Sequence, residues 1–150
     1  MHTSLFWPGQ PRHLVQLLDG SQPRARYLVL GGHGDAREFL IPELAEELHP
    51  RQPFHTVMTP EDVKDHLRFD RTVVVSTACS TGTEEMAKAF LSRRAGAYLA
   101  PTAYPDGSAA LHFVNCLFYA VCCSHLSVGE AHREVKPTHS DFRMFTLYQR

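Results

Sequence analysis

Thr72-Val73-Val74-Val75-Ser76-Thr77-Ala78-Cys79-Ser80-Thr81-Gly82 is the stretch on which the fold turns. Its first half is a continuous β-branched run, the pattern of a strand buried on both faces, and its second half breaks into a turn of small residues. Met86, Ala89 and Phe90 then mark a helix, so the segment reads as strand, turn and helix with a cysteine at the turn. Upstream, Arg26-Tyr27-Leu28-Val29-Leu30 is a second apolar run, opening into the loop Gly31-Gly32-His33-Gly34-Asp35. Downstream, Ala97-Tyr98-Leu99-Ala100 makes a third short strand, and Phe142 to Tyr148 alternates as a closing one. Ser4-Leu5-Phe6-Trp7 has two readings, a short strand ended by the turn Pro8-Gly9 or only a tail.

Helical signals fill the gaps. Pro11 precedes Leu14, Leu17 and Leu18 at helical spacing, and Glu43 to Leu48 makes a short amphipathic turn or helix. Thr59-Pro60-Glu61-Asp62 combines a capping threonine, a first-position proline and first-turn acids, with Val63 and Leu67 as the apolar face. An apolar helix runs from about Ser108 to Cys123, and another follows near Ser127 to Val135. Strands alternating with helices require crossover connections, so the expectation is an α/β fold: one domain over residues 1–150, with a mostly parallel central sheet flanked by helices.

The composition narrows the function. With 15 basic against 16 acidic residues and a net charge of -1, nothing points to nucleic acid. The four cysteines, Cys79, Cys116, Cys122 and Cys123, are too few for a disulfide framework, and no secretory segment is recognisable, so a reducing cytoplasmic setting is expected. No apolar run approaches the roughly 20 residues of a membrane span. Cys122-Cys123-Ser124-His125 offers soft ligands, but no second pair at zinc spacing accompanies it, so no metal site is expected. Glu43 to Glu47 and Arg93-Arg94 read most simply as solvated helix faces, with a processing or docking site as the other reading of Arg93-Arg94.

In open parallel sheets ligands bind beyond the carboxyl ends of the strands, and two such ends here carry His33 and Cys79. Alone, each has an ordinary reading: a hydrogen-bonded loop histidine and a buried cysteine. Paired at matched strand ends, they have the makings of a dyad. A thiol attacks as thiolate, which an imidazole and a following helix start both favour. The glycines beside His33 allow close backbone approach, and the N–H groups of Gly34 and Cys79 are candidate donors to a developing oxyanion. A cysteine phosphatase loop would need arginine six residues after the nucleophile, where Glu85 stands.

The segment from Tyr27 to Tyr148 resembles the CHAT branch of the caspase-like (clan CD) cysteine peptidases. Leu28-Val29-Leu30-Gly31-Gly32-His33-Gly34 looks like that family's strand ending in His-Gly, and Val73 to Gly82 like its strand ending in Ala-Cys-x-Thr-Gly. Met58-Thr59-Pro60-Glu61-Asp62, Ala87 to Ala97, Ser127 to Ala131 and Phe142 to Tyr148 are similar to further family segments. The resemblance implies a caspase-like three-layer sandwich and peptide-bond hydrolysis through a thioester, with His33 and Cys79 as the dyad. It also implies an oxyanion hole from the Gly34 and Cys79 amides, a protein or peptide substrate, and no cofactor. Asp35, Ser80, Tyr104 and Asp106 are the candidates for a substrate pocket, although the ordinary reading of Asp106 is a solvated turn in Pro105-Asp106-Gly107; many relatives carry an acid where this chain has Ser80. Only a short portion precedes His33, so the sheet is expected to be shortened at its N-terminal side, its missing strands absent or supplied by a regulatory partner or a second copy. Two other readings stand beside this one. In an amidotransferase- or esterase-like enzyme with Cys79 on a nucleophile elbow, the base would be His125, His132 or His139. In a non-catalytic module, an exposed sheet edge would bind another chain.

Overall fold

The computed structural model describes residues 3–22, 25–35 and 37–150. In chain order its elements are α1 (Pro11–Leu18), β1 (Tyr27–Leu30), β2 (Gly34–Asp35), β3 (Glu38–Leu40), β4 (Val57–Met58), α2 (Pro60–His66), β5 (Val73–Ser76), α3 (Glu84–Ser92), β6 (Ala97–Pro101), α4 (Gly107–Cys123), α5 (Val128–Val135) and β7 (Phe145–Gln149). The main sheet has the order β1-β5-β6-β7, with β1, β5 and β6 parallel and β7 antiparallel to β6. The fold is therefore α/β with a mixed, mostly parallel sheet.

Strand alternation sorts the core into two layers. Val74, Tyr98 and Ala100 face one side of the sheet, where Val63 of α2 and Met86, Ala89 and Phe90 of α3 pack on them, with Leu14, Val15 and Leu18 of α1 alongside. Val75, Leu99 and Phe145 face the other side and meet Phe113 and Leu117 of α4 and Ala131 and Val135 of α5. Aromatic stacking fastens each layer: Phe90 lies on Tyr98 at 4.6 Å and Phe113 on Phe145 at 3.9 Å between centroids. The helix starts follow the capping chemistry of the sequence. Thr59 and Asp62 exchange reciprocal bonds at the start of α2, and Ser127 and Glu130 do so at α5.

The structure settles, shifts or adds to the expected elements at three places. Of the two readings of Ser4 to Trp7 the tail holds; Leu5, Phe6 and Trp7 lie exposed in irregular chain, because β-favouring residues hold no strand without a partner to complete the ladder. The expected turn or helix at Glu43 to Leu48 is displaced to a 3₁₀ helix, Glu46–Arg51. A second, antiparallel sheet, β2-β3-β4, escaped the sequence reading, since strands of two or three residues are too short to display alternation. Among the described residues, no helix is long and apolar enough to cross a membrane.

His132 on α5 supplies a measurable consequence. It is buried, its Nε2 donates to the Phe145 carbonyl at 3.0 Å, and burial holds its pKa below the ordinary 6.5. The unfolded chain therefore takes up this proton first as pH falls. Stability from this site is fully present above pH 6.5 and declines below it until the folded-state histidine itself protonates. Chemical denaturation across this range should show a smaller acid-side loss in His132→Gln than in the parent; equal losses would refute the assignment.

Candidate active site

The parallel pairing of β1 with β5, Leu30 opposite Ser76, brings the two strand-end loops side by side. The Thr77 amide continues the ladder to the Leu30 carbonyl at 3.1 Å, so the chains remain paired up to the loops themselves. Beyond that point they touch. A Cβ placed on Gly34 would lie 2.3 Å from the Cys79 carbonyl oxygen and 2.9 Å from Thr81 Cγ2, so only glycine fits there. His33 and Cys79, distant in sequence, are thereby carried on two loops in backbone contact. His33 is exposed and Cys79 half-buried.

The amides around this contact divide into engaged and available. Leu40 N donates to His33 O at 3.0 Å, which makes His33 and Leu40 the bonded pair of the β2-β3 ladder and turns the N–H of the next residue, Gly34, away from β3. Ser80 N donates to Ala103 O and Gly82 N to Pro101 O, tying the turn to the end of β6. Between them the Cys79 amide meets no acceptor among the described residues.

The turn is rigidly floored. The Ala78 amide donates to Ser76 Oγ, Ser76 and Thr81 join hydroxyl to hydroxyl at 3.1 Å, and Thr81 Oγ1 donates back to Ala78 O at 2.8 Å. Tyr98 Oη donates to the Thr81 carbonyl and Tyr148 Oη to the Gly82 carbonyl, at 3.1 and 2.8 Å. Burial pushes the pKa of the Tyr98 hydroxyl up, which keeps it a donor. Neither tyrosine was singled out from sequence, where nothing links them to the turn; only the alternation that aims both toward the same face of the sheet could have done so. Ser80 has a left-handed backbone, φ 59°, a conformation costing roughly 1–2 kcal/mol in a residue with a side chain.

The four pocket candidates separate. Asp35 accepts from Tyr104 Oη at 2.5 Å, a bond that joins the His33 loop to the loop after β6. Ala103, one residue before Tyr104, is the acceptor for Ser80, so Asp35, Ser80 and Tyr104 belong to one group around Cys79. Asp106 is engaged otherwise. It caps α4, accepting from Ser108 N and Oγ, bonds that lower its pKa, while its own amide donates to Asp141. Among the described residues no group of three or more His, Cys, Asp or Glu is placed to hold a metal ion. No protein-family model matches the sequence, and no curated protein matches it.

Two substitutions probe this geometry by thermal and chemical denaturation. Gly34→Ala forces the loops apart against backbone and should cost about 1–3 kcal/mol; a neutral result would mean the loops part freely. Ser80→Gly should raise Tm, because glycine adopts this φ without penalty. A fall in Tm would show that the serine hydroxyl contributes more than the strain costs.

Proposed function

We propose that this chain is a cysteine endopeptidase of caspase-like architecture, with Cys79 as nucleophile and His33 as acid–base group. The observation that carries the reading is the backbone contact between Gly34 and the Cys79 carbonyl, which joins a histidine loop and a cysteine turn at the carboxyl ends of neighbouring parallel strands. Cys79 Sγ, its proton passed to His33, attacks the peptide carbonyl carbon. The oxygen takes up the negative charge and is received by the Gly34 and Cys79 amides. His33 then protonates the leaving nitrogen as the C–N bond breaks, leaving a thioester on Cys79. Water gives a proton to His33 and attacks the thioester carbon; the C–S bond then breaks, the acid product leaves, and the Cys79 sulfur takes the proton back from His33. Asp35, whose carboxylate accepts from Tyr104 Oη, is the acid of the group around Cys79, and on this reading a basic residue before the cleaved bond is preferred.

The downstream histidines support an elbow enzyme less well. His132 Nε2 is engaged by the Phe145 carbonyl, while His139 accepts from the Asp141 amide and lies against Phe142. The binding-module reading has one observation in its favour: β1 is an edge strand whose Val29 is 42% exposed.

Peptidyl acyloxymethyl ketones with basic, acidic or apolar residues beside the warhead test all three. The peptidase reading expects an adduct on Cys79, fastest for the basic probe and absent in Cys79→Ala, and peptide hydrolysis slowed about 100-fold or more in His33→Ala. No labelling by any probe would favour the binding module. Activity retained in His33→Ala and lost in His139→Ala would favour the elbow enzyme.

A further inference from the structure

The end of the sheet away from Cys79 carries a different chemistry. The first residues of β1, β5 and β6 stand in one row with the last residue of β7, Tyr27 beside Val73 beside Ala97 beside Gln149. Just outside this row lie Arg26, Arg71, Arg94 and Arg150, with Arg93 and Arg68 next to them. Backbone bonds knit these segments together: Val73 N to Arg26 O, Arg71 N to Arg94 O, Phe69 N to Arg93 O and Gly96 N to Thr72 O. Half of the twelve arginines of a chain with a net charge of -1 are gathered at this pole; the acids on the described segments there include Asp19, Asp70 and, on α5, whose Gly129 lies against Gln149, Glu130. Arg93 Nε is engaged by the Leu67 carbonyl, Arg150 by the Leu91 carbonyl and Arg94 by Asp70. Arg26, Arg68, Arg71 and Arg94 are all exposed.

Two of these arginines carry a second, independent signal. Arg71 and Arg94 both have left-handed backbones, φ 59° and 74°. Arg94 follows the C-cap of α3, the position where glycine usually ends a helix. Arginine at two adjacent sites that glycine would fill without strain points to a use for the side chains. We propose that this pole is a docking surface for an acidic polypeptide segment. The row spans three strand spacings, about 14 Å, which matches four or five residues of extended chain, and guanidinium groups pair in a fork with carboxylates. A nucleic acid fits less well. The aromatic residues on these segments, Phe69 and Tyr27, offer no open ring face for a base: Phe69 is buried, and Tyr27 lies against Phe118 under the Arg26 guanidinium.

The glycine preference of the strained sites makes the test clean. Arg71→Gly/Arg94→Gly removes two charges while relieving the backbone, so its Tm should equal or exceed that of the parent. Binding of a fluorescein-labelled octaglutamate peptide to the full chain is read by anisotropy, with Arg26→Glu/Arg68→Glu as a second variant. The parent should bind, more weakly at about 300 mM than at about 50 mM NaCl. Both double variants should bind at least about tenfold more weakly, whereas Arg143→Gln, at the opposite end of the sheet, and Cys79→Ala should bind as the parent does. Absence of parent binding, unchanged affinity in both double variants, or tighter binding of an oligothymidylate of equal charge would each overturn the proposal.

Discussion

The parallel pairing of β1 with β5 is the constraint from which the rest of this structure follows. Parallel strands point their carboxyl ends the same way, so the loops that leave them must share one end of the sheet. Here they share it so closely that a backbone carbonyl occupies the space where a Cβ would be at Gly34. Every other feature of the candidate site is fastened to that contact. The turn is tied laterally to the end of β6, and the bond between Asp35 and Tyr104 joins the two flanking loops.

What was legible in the sequence was what the chain encodes over short stretches. The valines of β5 announce a strand buried on both faces, and Val74 and Val75 are indeed fully covered, one from each side. The capping threonine Thr59 marks the start of its helix in the sequence, because the bonds it makes are three residues long, and the structure shows Ser127 making the same bonds at α5. His33 and Cys79 could be singled out because each sits where a clear strand ends.

The remainder depends on partners far along the chain. Tyr148 reaches Gly82 across 66 positions, and no local pattern in Phe142 to Tyr148 discloses that reach. The direction of β7 is of the same kind: alternation marks a strand but not which way it runs beside β6. Leu5, Phe6 and Trp7 show the converse, a strong local preference with no neighbour to satisfy it. Asp106 belongs with Tyr148: the Pro105-Asp106-Gly107 turn is plain in the sequence, but that its carboxylate caps the first turn of α4 and its amide bonds Asp141 is settled by the fold.

The bond from Tyr148 to the Gly82 carbonyl also sets a timetable. During synthesis β1 and β5 leave the ribosome well before β7, so the histidine and cysteine loops are free to meet while the hydroxyl that braces the turn is still to be translated. A nascent chain in that interval holds His33 and Cys79 without the Tyr148 brace beneath the turn. The finished geometry of the turn is thus deferred until the last strand has docked.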